Sequence, residues 1–92
     1  MDMPKILDCA IEDCAYNKDQ QCHAMAITIG DENPMCDTYM YSSRKGGVGE
    51  TGGIGACKTE ACQFNNNLEC GADGIHVGMH ANQPECLTFM MM

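Results

Sequence analysis

"CAIEDCAYNKDQQC", residues 9–22, and "CKTEACQFNNNLEC", residues 57–70, share the spacing C-x4-C-x7-C at an offset of 48 residues. A fourth cysteine follows each stretch, Cys36 after thirteen residues and Cys86 after fifteen, so the second unit is longer by two residues there. The likeness extends outward. Tyr16-Asn17 answers to Phe64-Asn65, Ala24 to Ala72, Ile27-Thr28-Ile29-Gly30 to Ile75-His76-Val77-Gly78, and Cys36-Asp37-Thr38-Tyr39 to Cys86-Leu87-Thr88-Phe89. So many matches at nearly one offset make a tandem repeat, residues 5–41 and 54–92, joined by the segment 42–53.

Comparing the two units separates shared features from local ones. Cys9, Cys14, Cys22 and Cys36 each have a counterpart in Cys57, Cys62, Cys70 and Cys86. The histidines have none: His23 faces Gly71, His76 faces Thr28, and His80 falls opposite the Asp31-Glu32 region. Histidine is therefore not a ligand that the repeat requires. His76 and His80 are four apart, as metal ligands on a helix face would be, but His76 lies in an expected strand and reads as exposed surface.

The 92 residues contain no tryptophan, three tyrosines and two phenylalanines, so aromatic core material is scarce. Units below about 40 residues usually need disulfides, metals or oligomerisation to fold. The net charge is −8, with eight of the thirteen acidic residues before position 42, a balance that repels nucleic acid and anionic membranes. There is no run of eighteen apolar residues, and Met1-Asp2-Met3-Pro4-Lys5 lacks the apolar stretch of a secretory signal. A cytoplasmic location is the expectation.

The connecting segment contains Lys45-Gly46-Gly47-Val48-Gly49-Glu50-Thr51, one residue away from a phosphate-binding loop. The difference decides the reading. Glu50 stands where a lysine must neutralise phosphate, and neither a buried strand before the loop nor a helix after it is indicated. Six of the ten glycines fall in residues 46–55, so the segment reads as a flexible linker, and no nucleotide is expected.

Within each unit, the polar stretch from Asn17 to Gln21, or Asn65 to Glu69, predicts a chain reversal before the third cysteine. Ala26-Ile27-Thr28-Ile29, and Ile75-His76-Val77 in the second unit, predict a short strand closed by Gly30 or Gly78, with a hairpin partner around Cys22. Leu7 to Cys14 is compatible with one helical turn. The expected fold is a small metal-stapled or disulfide-rich protein, mostly loops with short antiparallel β-hairpins.

Four cysteines per unit can enclose a soft tetrahedral ion, zinc or iron, or form two disulfides. Disulfides are rare in a reducing cytosol, and C-x4-C lies at the wide end of the usual zinc spacing, so metal is favoured. The expectation is two ions, zinc or alternatively iron, held by Cys9, Cys14, Cys22, Cys36 and by Cys57, Cys62, Cys70, Cys86. A divalent ion on four thiolates carries a formal charge of −2. Lys5, Lys18, Lys58 and backbone N–H groups directed at sulfur are the expected moderators of that charge.

The cysteine spacing, the Tyr/Phe-Asn pair, the alanine two residues past the third cysteine, the Ile-x-Ile/Val-Gly strand and the closing Cys-x-Thr-Tyr/Phe together resemble one bacterial family, domain of unknown function 1540. The resemblance covers both units. It implies a small cysteine-ligated, metal-binding domain often occurring in one or two copies, and carries over no established activity.

The residues themselves suggest no enzyme: a Ser/His/Asp set is absent, and closed four-thiolate sites leave no position for water. The leading expectation is a non-enzymatic interaction module whose two metal-folded knobs present loops to a protein partner. A disulfide-bonded surface or spore-layer protein, a metal buffer or sensor, and a rubredoxin-like electron carrier are the alternatives, the last against the absence of C-x2-C pairs. The nine methionines, including Met90-Met91-Met92, suit copper(I) but read better as core filling and a frayed tail.

Overall fold

The arm in front of each first cysteine is a strand. In the computed structural model, which describes residues 3–30 and 33–91, Lys5–Cys9 forms β1 and Gly53–Cys57 forms β6, positions related by the same offset of 48. Each carries an irregularity in register, at Leu7 in β1 and Gly55 in β6. Strand side chains alternate, so a regular strand would turn Cys9 to the opposite face from Ile6. The extra residue restores it, and Ile6 and Cys9 are both buried, as are Ile54 and Cys57. The expectation of a helical turn over Leu7 to Cys14 is thus corrected: the first part is β1, and the remainder is turn.

Two-residue strands follow the second cysteine. Asn17–Lys18 (β2) pairs with Gln21–Cys22 (β3), and Asn65–Asn66 (β7) with Glu69–Cys70 (β8). The expected reversal is present at Asp19-Gln20 and Asn67-Leu68, where all four residues have positive φ, between 54° and 68°. This twist suits two-residue hairpins, which commonly use glycine or asparagine there. The expected pairing of the Cys22 region with the following strand is corrected, since Cys22 pairs back onto Asn17. The longer strands Ala26–Gly30 (β4) and Gly74–His80 (β9) pair instead with Met35–Cys36 (β5) and Gln83–Cys86 (β10).

The other six strands close a barrel in the order β1-β6-β4-β5-β10-β9. β1 runs parallel to β9 of the second unit, and β6 runs parallel to β4 of the first. Each unit therefore lends its first strand to the other. A two-stranded hairpin cannot cover its apolar face alone, and the exchanged arms supply what is missing. Ile6, Ile27 and Ile29 meet Ile54, Ile75 and Val77 in one buried core drawn equally from both units. At about 1.5–3 kcal/mol for each such side chain buried, these six positions are a large part of what holds so small a chain together.

The picture of two knobs on a free tether is replaced by one interlaced body. The glycine-rich segment is also fixed along its length by backbone bonds, from Gly46 N–H to Ala15, Val48 N–H to His23 and Gly52 N–H to Cys22. It leads into a strand, β6. The fold is strand-rich, without a helix among the described residues, and includes parallel pairings beside the expected hairpins. Among those residues no helix is long and apolar enough to cross a membrane. Asp31-Glu32, opposite His80 in the repeat, and Met92 of the methionine tail lie outside the described residues.

Candidate metal centres

The repeat's motif residues lock each four-cysteine set in place. The buried Asn17 donates from Nδ2 to the carbonyl of Cys9 at 2.7 Å, and Asn65 does the same to Cys57 at 2.8 Å. The N–H groups of Cys9 and Cys57 donate to the turn carbonyls of Gln20 and Leu68. Thr38 and Thr88 accept at Oγ1 from the N–H groups of Thr28 and His76, 3.1 and 3.0 Å, tying each fourth cysteine to its hairpin. Cys14 bridges to Tyr41, and Cys62 to Met91. The shared asparagine and threonine thus act on the placement of the cysteines.

Four cysteines from distant parts of each unit meet around one cavity. Cys9, Cys14, Cys22 and Cys36 line a space of about 20 Å³ together with Val77 and Pro84 of the other unit. Cys57, Cys62, Cys70 and Cys86 line one of about 10 Å³ with Ile29 and Pro34. Such volumes suit an ion or a single water and exclude an organic ligand. None of the eight forms a disulfide. Among the described residues, however, no group of three or more His, Cys, Asp or Glu side chains is disposed to hold a metal ion.

Burial dominates the electrostatics of these thiols. It pushes Cys36 up to about 12 and Cys86 up to about 11, and also raises Cys22 and Cys70. Backbone N–H groups oppose it: those of Ala24, Thr38, Ala72 and Thr88 donate to the sulfur two residues earlier, and each favours the thiolate. Neighbouring sulfurs act the other way, Cys9 and Cys14 on Cys22, and Cys57 and Cys62 on Cys70. The four sulfurs of a set therefore feel one another's charge.

The expected lysine moderators are placed differently. Lys58 Nζ forms an ion pair with Asp37 at 3.2 Å, and Lys5 and Lys18 are exposed. An ammonium that reaches a cysteine backbone is that of Lys45, which donates to the carbonyls of Glu12 at 2.7 Å and Cys14 at 3.0 Å. Lys45 lies in the connecting segment, outside the repeat, so comparison of the units could not single it out. The histidines serve elsewhere: His23 Nδ1 is 3.1 Å from the Val48 carbonyl, His76 Nδ1 is 2.8 Å from Asp8 Oδ2, and His80 Nδ1 is 3.3 Å from Glu85 Oε1. His76 and His80 share the strand β9, not a helix face.

The model of the family described as Domain of Unknown Function (DUF1540) matches residues 7–44 and 56–89, well over half of the chain. The chain belongs to the DUF1540 family. The two matched segments are its two four-cysteine units, so DUF1540 is present here as a tandem repeat. No curated protein and no solved structure matches the chain.

Proposed function

We propose that this DUF1540 chain is a non-catalytic metal-binding protein that holds one soft ion, zinc first and iron second, in each four-cysteine set. The observation that carries the reading is the convergence of four cysteines, spread over residues 9–36 or 57–86, on one ion-sized cavity. Thiolate sulfur is the donor that zinc and iron(II) favour, and four of them complete a tetrahedral shell. Backbone N–H groups already point at sulfur, those of Ala24 and Thr38 in the first set and of Ala72, Thr88 and Phe89 in the second, the arrangement that moderates a −2 centre. Binding requires the cysteine side chains to adopt an arrangement other than their present one, with metal–sulfur bonds of about 2.3 Å.

A shell of four protein ligands leaves no site for substrate or water, so the role is structural and the protein acts as a small interaction module. Exposed apolar side chains such as Met25, Tyr41 and Met91 are consistent with a protein partner. Because both sets sit in one interlaced barrel, the module presents one surface and not two independent ones.

Native mass spectrometry of reduced, anaerobically purified protein, beside its denatured mass and elemental analysis, tests the proposal. Two zinc or iron ions per chain are expected. A metal-free chain eight hydrogens lighter than the reduced mass would overturn it and establish four disulfides instead.

A further inference from the structure

The connecting segment makes the two cysteine sets unequal. Its backbone crosses the loop between Cys14 and Cys22: Gly46 N–H donates to Ala15 at 2.9 Å, Val48 N–H to His23 at 2.8 Å, and Gly52 N–H to Cys22 at 2.7 Å. His23 Nδ1 closes on the Val48 carbonyl from the other side. Gly47, at φ 103°, brings the strap so close that an added Cβ would collide with the His23 carbonyl. In the second unit the corresponding carbonyls belong to Gln63, Gly71 and Cys70. Among the described residues, no such backbone bond from a connecting segment reaches any of them.

The same strap delivers a charge. Lys45 Nζ is bonded to the carbonyls of Glu12 and Cys14, one residue being a member of the first set and the other lying between its first two cysteines. The chain has five Lys and Arg against thirteen Asp and Glu, so a cation fixed at this position is a scarce resource. Four thiolates around a divalent ion leave two negative charges, and a fixed ammonium at the backbone of one ligand stabilises that state over the protonated, metal-free one. The second set is also less covered, since Cys86 is partly exposed whereas the other seven cysteines are buried.

Resting on the metal reading above, we infer that the set Cys9, Cys14, Cys22, Cys36 is the tight, slowly exchanging site, that Lys45 and its strap make it so, and that the set ending in Cys86 releases its ion first. Lys45 is a positioning residue. It touches the carbonyl of a ligand and not the ion.

The test uses the full chain loaded with Zn(II) and challenged with a chelator, followed by native mass spectrometry and by alkylation of the thiols released. A one-ion species is expected to accumulate, alkylated at Cys57, Cys62, Cys70 and Cys86 and protected at the other four. Lys45→Ala speeds loss of the remaining ion several-fold, Lys45→Arg restores the slow rate, and Gly47→Ala, which displaces the strap, acts like Lys45→Ala. With Co(II) as the probe, Lys45→Ala also shifts the thiolate charge-transfer bands, which a purely structural residue would leave unmoved. Simultaneous loss of both ions, alkylation of the first set before the second, or unchanged kinetics in both strap variants overturns the inference. A chain that takes up no Zn(II) before the chelator is added overturns the metal reading, and this inference with it.

Discussion

Asn17 Nδ2 donates to the carbonyl of Cys9 across 2.7 Å, inside the fold, with Asn17 only 3% exposed. The equivalent bond from Asn65 to Cys57 is only partly buried. Removing a donor from a buried carbonyl costs about 1–3 kcal/mol, because the acceptor is left without water or partner. Asn17→Ala should lower stability by that amount, measured by urea unfolding. An unchanged urea midpoint would show that the bond does not hold Cys9 in place.

Thr59 is 1% exposed and donates from Oγ1 to the carbonyl of Gly30 at 2.7 Å, a bond from the second unit into the first. Its repeat equivalent is Ile11, buried without a hydroxyl. Thr59→Val keeps the shape and removes the bond, at an expected cost of about 1–2 kcal/mol. Since β1 and β6 are exchanged, the loaded protein should unfold in a single calorimetric transition that the substitution moves as a whole. Two transitions, with only one displaced, would contradict the shared barrel.

Leu68 has φ 68° and is about half exposed, a combination that its side chain does not favour. What holds it there is the Asn65 Oδ1 that accepts its N–H at 3.2 Å, and its carbonyl's bond to Cys57. Left-handed backbone costs a non-glycine residue roughly 1–2 kcal/mol, of which glycine's extra freedom in the unfolded chain offsets a part. Leu68→Gly should therefore raise the urea midpoint modestly. A lower midpoint would mean that the exposed leucine packs in a way its exposure conceals.

The raised thiols set the pH response of the reduced, metal-free protein. Their ordinary value is 9.0, and folding holds Cys36 at about 12 and Cys86 at about 11. The unfolded chain loses these protons first as pH rises, so the stabilising contribution is complete below about pH 9 and disappears as pH climbs through 11 and 12. Unfolding midpoints should fall between pH 8.5 and about 11.5 in the metal-free protein. The metal-bound form, with its sulfurs already deprotonated, should instead weaken toward acid, as protons compete with the ion for sulfur. Midpoints flat across the alkaline range would contradict burial as the cause.

Cysteine spacing made the repeat and its two four-cysteine sets legible, and the β-branched runs at Ile27 and Ile75 outlined β4 and β9. A repeat announces equivalence of parts but not which copy a strand pairs with, because Ile6 and Ile54 look alike whether each packs on its own unit or on the other. The bulge at Leu7 defeats period-two reading of Lys5–Cys9, which is why β1 was hidden. Asp19-Gln20 and Asn67-Leu68 lack the glycine that advertises a tight hairpin turn. Lys45 was masked by glycines whose composition suggests slack, whereas their small size is what lets the chain pass close against His23 and Ala24.

Exchange of the first strands has a consequence for a solitary copy of this unit. Without a second copy its arm would project as an unpaired edge and its hairpin would lack the parallel neighbour that covers it. Two such molecules could satisfy one another through an isologous, two-fold contact, the ordinary symmetry of a homodimer. Joining the copies head to tail through residues 42–53 turns that encounter into an intramolecular event, at effective concentrations on the order of millimolar for a short linker. The tandem chain is, in its architecture, a dimer that no dilution can separate.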